Sequence, residues 1–289
     1  MKTEFKEKTY EQYFNSELNT RNIVFYSPDQ VDENHLGFDA AFRAPLRRLL
    51  SLLFSHGCHT FYEHSMLGML RGARIAEVNE WASDVADRMP PFKFNLFVQY
   101  KRPEFLNTSR AAQWAFWKKP YFRYNITEHQ QKTLEKLEIK SQGRAAVLYA
   151  SPAFWDTSTL WKHVKKRKVI KNSNIVRAGQ LQGHSKYTYS SAGSLGIGHS
   201  EPEHIESISF EEIIRVGQEQ YSYPFKRHIE KNAATILNLL EEDEGARFIF
   251  MRVQSALLIE DLSDGSFFSA LNVIHVFCLA FDVNYYAVG

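Results

Sequence analysis

Three side chains in this sequence have the types and spacing for phosphodiester chemistry. Asp39 closes the run Leu-Gly-Phe-Asp, and Gln99 and Lys101 flank Tyr100 in Gln-Tyr-Lys. Hydrolysing a phosphodiester at neutral pH calls for a divalent metal that activates a water and neutralises the charge developing on phosphate. Hard oxygen ligands suit Mg2+, or Mn2+ in its place. A compact site pairs a strand-borne Asp with an acidic or amide ligand on the neighbouring strand and a Lys two residues later. Strand alternation puts residues i and i+2 on one face, so Gln99 and Lys101 share a face with Tyr100 opposite. Lys101 can then orient the attacking water or stabilise transition-state charge.

The elements needed to position these residues can be read from periodicity. Residues 8–19 read as a helix, with Tyr10, Phe14 and Leu18 on one apolar face. Residues 23–26 look like a strand, followed by a turn at Ser27-Pro28-Asp29 and a second strand at 36–42 that carries Asp39. The stretch 45–90 reads as mainly helical and ends at Pro90-Pro91. Phe92 to Tyr100 is the clearest strand, apolar enough for burial on both faces. Thr127-Glu-His-Gln130 has the form of a capping box and opens a helix that Gly143 ends. A short buried strand follows at 145–150, then a basic segment from Leu160 and strands near 175–176 and 187–189. Ser209-Phe-Glu-Glu212 is a second capping box, and the remainder reads as helical, including a buried C-terminal helix at 267–288. A helix crossing from one strand to a later one points to an α/β sheet.

In this order and context, the residues resemble the PD-(D/E)XK, or restriction-endonuclease-like, nuclease superfamily, in its Mrr-like branch with a Gln-x-Lys third motif. The resemblance covers roughly the first half of the chain. It implies an αβββαβ core with a helical insertion at about 45–90 and a helical C-terminal part: a nuclease core over 1–205 and a helical subdomain over 206–289. It also implies a Mg2+-dependent endodeoxyribonuclease, and an effector role in bacterial anti-phage defence follows from the resemblance alone. The catalytic set is Glu11, Asp39, Gln99 and Lys101, with Asp39, Gln99 and Glu33 as metal ligands. Gln99 brings no charge, so the site needs another acid, for which Glu11, Glu17 and Glu33 compete. The 60 residues between Asp39 and Gln99 exceed a plain hairpin and account for the insertion. The alternative is a catalytically weak module of the same fold that binds nucleic acid or a partner protein, docking or self-associating through its helical C-terminal part.

Other features qualify this reading. The run Lys162 to Lys168 contains Lys165, Lys166, Arg167 and Lys168 beside Trp155 and Trp161, which suits contact with a phosphate backbone, as does Arg43. His56, Cys58, His59 and His64 lack the second ligand pair of a zinc site. Gly193, Gly196 and Gly198 do not follow a strand-to-helix junction and are not a dinucleotide fingerprint. His129 and Gln131 lie at the start of the helix expected to face the site.

Hydrophobic residues make up 44% of the 289, ample for a packed core. The net charge of +2 restricts any nucleic-acid contact to a local patch. Two cysteines make no disulfide framework and suggest a reducing cytoplasm. The charged N-terminus lacks the apolar core of a signal peptide. Asn272, His275, Asp282 and Asn284 argue against a membrane span at 267–288.

Overall fold

A computed structural model describes residues 2–18, 25–26, 75–257, 259, 262 and 265–289. In chain order the helices are α1 (Glu7–Leu18), α2 (Ile75–Ala86), α3 (Trp114–Trp117), α4 (Glu128–Lys140), α5 (Thr157–Lys165), α6 (Phe210–Gln218), α7 (Phe225–Glu242), α8 (Glu244–Ala256) and α9 (Phe267–Phe281). The strands are β1 (Phe25–Tyr26), β2 (Phe94–Tyr100), β3 (Glu104–Leu106), β4 (Tyr121–Asn125), β5 (Ala145–Pro152), β6 (Ser173–Arg177), β7 (Lys186–Tyr189), β8 (Leu195–His199), β9 (Glu203–Glu206) and β10 (Asn284–Val288). The architecture is mixed α/β. The chain forms two compact units, one from residues 1–25, 94–220 and 281–288, the other from 26–93, 221–280 and 289. Residues 206–220 and 281–288, expected within a helical C-terminal subdomain, thus belong to the first unit.

The first unit holds two five-stranded sheets, ordered β1-β10-β2-β5-β6 and β3-β4-β7-β8-β9. In the first, β2 runs parallel to β5, with Gln99 opposite Tyr149, and antiparallel to β10. The parallel pair demands a crossover, and α4 enters β5 directly. Every residue of β2 is buried, as its near-continuous apolar sequence requires. Phe94, Leu96, Val98 and Tyr100 join one core with Tyr10, Phe14 and Leu18 of α1 and Phe210, Ile213 and Ile214 of α6. Tyr10 and Phe14 meet Tyr100 edge-on at 5.8 and 5.3 Å between ring centroids. Polar atoms fix this packing. The Tyr10 hydroxyl donates to Ser173 Oγ at 2.7 Å, and Asn15 Oδ1 accepts from the Tyr100 and Tyr286 hydroxyls.

Three sequence expectations change here. Both flanks of β2 are occupied, by β10 against residues 94–98 and by β5, where Gln99 pairs with Tyr149. The segment 36–42, expected to adjoin β2, lies outside the described residues. The expected helix over 267–288 stops at Phe281. Asp282 takes a left-handed φ of 50°, tolerated by Asp, and the aromatic, β-branched sequence Asn284-Tyr-Tyr-Ala-Val288 continues as a strand. Thr127 precedes α4 without a side-chain cap, and the Gln130 side chain donates to Phe281 O in place of the reciprocal bond of the box. The Ser209 box does form half of its pair, Ser209 Oγ accepting from Glu212 N at 3.2 Å.

The described part of the second unit is helical. Phe92 bridges Tyr223 and packs on Phe225, whose ring meets Phe267, and Asn79 Oδ1 accepts from Phe268 N at 3.2 Å. No described helix is long and apolar enough to cross a membrane.

Candidate active site

Gln99 and Lys101 sit at the carboxyl end of β2, on the face turned towards α4. Crevices at the carboxyl ends of parallel strands are the usual place for function in α/β sheets. The backbone of Lys101 is held on both sides: its N–H donates to Ala150 O at 2.9 Å, and its carbonyl accepts from Ser151 Oγ at 3.1 Å. Its Nζ lies 5.4 Å from the ring centroid of Tyr149. That ring is locked from behind, since the Tyr149 hydroxyl donates to Gln131 Oε1 at 2.6 Å. Gln131 Nε2 in turn donates to Ala178 O at 2.6 Å and Glu135 Oε1 at 2.7 Å.

The charges around Lys101 come from unexpected places. Burial pushes its pKa down, and the carboxylates of Glu7 and then Asp282 pull it back up. Among the described residues no carboxylate comes within 4 Å of its ammonium. Glu7 stands at the first turn of α1, where its Oε2 accepts the Arg102 amide at 2.9 Å. Burial and then the nearby Asp282 push the Glu7 pKa up, against the Arg102 amide and Lys101. The result is a partly buried ammonium in the field of two acids, beside a hydrogen-bonded tyrosine.

Gln99 is fully buried. Its Nε2 donates to the carbonyls of Phe281 and Asp282, each at 3.3 Å, while its Oε1 is buried with no partner among the described residues. Gln130 Nε2 donates to the same Phe281 carbonyl. Two glutamines therefore pin the αL corner that carries Asp282. The chain must supply a buried donor or cation to the Gln99 oxygen or bear the penalty of an unmet acceptor.

The other anticipated site residues fall into three groups. Asp39, Glu33 and Arg43 lie outside the described residues, as do His56, Cys58, His59 and His64. Glu11 is 8% exposed and pairs with Lys8 at 3.2 Å, one helical turn beyond Glu7. Glu17 is committed to the Val169 and Ile170 amides at the far end of α1. Sequence reasoning missed Glu7, although Glu7 and Glu11 at i and i+4 share a helical face. It also missed Asp282, which is 181 residues after Lys101 and carries no local signal.

As to a metal, the donors near Lys101 are all oxygen: the Glu7 and Asp282 carboxylates and the orphaned Gln99 Oε1. That chemistry fits a hard divalent cation. Among the described residues, however, no group of three or more His, Cys, Asp or Glu is placed to hold one. The described residues alone do not complete a metal site.

Among the remaining candidates, two glycines have packing roles. Gly196 and Gly198 admit neighbouring side chains: an added Cβ would stand 2.2 Å from the Tyr187 ring and 2.4 Å from that of His184, respectively. His184, with no partner evident in sequence, lies 3.5 Å from a Glu203 carboxylate oxygen. His129 is exposed, its carbonyl accepting from Thr133. The basic residues Lys165, Lys166, Arg167 and Lys168 are exposed at the end of α5. Comparison with protein-family models, curated proteins and solved structures finds no match.

Proposed function

We propose that this chain is a metal-dependent nuclease that hydrolyses phosphodiester bonds of DNA, acting in bacterial defence against phage as the Gln-x-Lys resemblance implies. The observation that supports the reading is Lys101 itself. A partly buried lysine follows a central parallel strand, two residues after a buried Gln, in the field of two carboxylates that do not contact it. A buried lysine needs a purpose, and an ammonium held beside acids but not paired to them is available to a phosphate oxygen or an attacking water. Bound Mg2+ would polarise the phosphate and lower the pKa of the water. In this reading Glu7 takes the role first assigned to Glu11, Asp282 adds a second carboxylate, and Gln99 offers Oε1. Asp39 remains the proposed central ligand, and Glu33 a further one.

The lack of a three-acid cluster among the described residues favours a second reading, a catalytically weak module of the same fold. One assay separates the two. Lys101→Ala and Asp39→Ala are each expected to reduce Mg2+-dependent cleavage of duplex DNA at least 100-fold, with unchanged circular dichroism. Cleavage that persists in EDTA, or is undiminished in either variant, overturns the nuclease reading. A wild-type protein inert on every nucleic acid and metal tried leaves the module.

A further inference from the structure

We infer that the exposed basic end of α5 holds the phosphate backbone of double-stranded DNA, about 15 Å from the Lys101 site, and so sets a minimum substrate length. The inference rests on the nuclease reading only for its cleavage arm.

Helix α5 is built to present cations. Asp156 caps its start, accepting from Thr159 N at 2.8 Å, and Leu160 faces the core. Trp161 is 45% exposed, but its ring is held edge-on by Tyr13 at 5.2 Å. Past the helix, Arg167 adopts a left-handed φ of 51°, which turns the chain without ending the basic run. Lys162, Lys165, Lys166, Arg167, Lys168 and Lys171 are all exposed, and among the described residues none of them forms an ion pair. The field of these cations is felt locally: after burial, Lys162 and Lys166 hold the pKa of His163 down.

A patch of exposed cations on a protein of net charge +2 is a concentrated site for a polyanion. Two observations select a duplex over a single strand. Single-strand grooves interleave cations with aromatic platforms on which bases stack. Between Thr157 and Lys171 the only such aromatic is Trp161, already in ring contact with Tyr13, which gives no series of platforms. The charge density of a duplex, about one phosphate per 1.7 Å, also matches cations crowded onto one helix end.

The spacing follows from α1, which links both places. Glu7 marks its Lys101 end and Glu17 binds the amides just after the basic run. Ten residues of helix span about 15 Å, or between four and five base steps at about 3.4 Å each. A duplex shorter than about five base pairs cannot reach from the Lys101 site to the far end of the basic run.

The test uses the full chain with Lys162, Lys165, Lys166 and Lys168 changed to Glu. Arg167 is kept because of its backbone conformation. In a Lys101→Ala background, which silences cleavage, binding of a 30-base-pair duplex is followed by anisotropy from 50 to 200 mM salt. The expected result is at least tenfold weaker binding and a log–log salt slope shallower by about 3 to 4, near 0.9 per lost contact, with unchanged circular dichroism. Unchanged affinity and slope overturn the proposal. So does tighter binding of the parent to single strands of equal length, or to vesicles rich in phosphatidylserine. In the active background, the four changes should slow cleavage of a 12-base-pair stem while leaving a 4-base-pair stem and bis(p-nitrophenyl) phosphate untouched. Equal slowing of all three substrates also overturns it. Failure of cleavage with intact duplex binding counts against the catalytic reading alone.

Discussion

At Lys101 and Glu7 the structure keeps charges where burial opposes them, and the sign of each effect can be tested. The Lys101 pKa is lowered on folding, so between its folded value and about 10.5 the unfolded chain binds more protons, and stability rises with pH there. Lys101→Met should remove that alkaline rise and increase the melting temperature at pH 7. The comparison belongs below pH 10, because the buried Tyr100, Tyr124 and Tyr189 have raised pKa values and oppose the rise above it. Glu7 has the reverse sign: its pKa is raised, so its contribution is present below about 4.5 and lost as pH climbs through the folded value. Glu7→Gln keeps the acceptor for Arg102, and should be more stable than wild type at pH 7 while cleaving more slowly. Thermal melts from pH 4 to 9.5 would show both, and a Gln variant that melts lower at pH 7 would refute the assignment. A side chain that costs stability where it sits is a candidate functional position.

Among the elements, the sheet β3-β4-β7-β8-β9 depends on two glycines whose missing side chains make room for Tyr187 and His184. Gly198→Ala should destabilise by about 1–3 kcal/mol through overpacking, read as a lower urea midpoint with unchanged slope. Gly196→Ala should do more, since its added Cβ would also meet the Thr188 carbonyl at 2.6 Å, which cannot swing aside. A flexible side chain would yield, so a Gly198 variant as stable as wild type would show that the His184 ring moves, and equal losses in the two variants would refute the extra cost of the Thr188 carbonyl. Much at this scale was legible beforehand. The i, i+4 spacing of Tyr10, Phe14 and Leu18 marks α1, and the apolar run of β2 marks a strand covered on both faces. What was not legible shares a cause. No local pattern tells that residues 284–288 pair with residues 94–98, because register between distant strands is decided by packing in three dimensions. The same holds for the site: the Gln-x-Lys spacing is local and could be read, whereas the approach of Asp282 and Glu7 to Lys101 is not.

For the molecule as a whole, the C-terminal strand is part of the first unit's central sheet. Tyr286, fully buried on β10, shares hydrogen bonds with Tyr100 on β2 and Asn15 on α1. Tyr286→Ala should therefore destabilise by about 3–5 kcal/mol, the range for truncating a buried aromatic, a large share of a typical total. Hydrogen exchange would show the loss in α1 and β2 amides as well as in β10 itself; protection lost only near residue 286 would contradict that coupling. This placement of β10 has a consequence for biosynthesis. Once Lys101 has been polymerised, Asp282 follows only after 181 further residues, about 10 to 35 s at ordinary translation rates. Until then the edge of β2 that β10 will cover is open, an invitation to strand pairing with other chains, and the site lacks one of its acids. A nascent chain would thus be exposed to aggregation, and under the proposed nuclease reading it could not cut until β10 is in place.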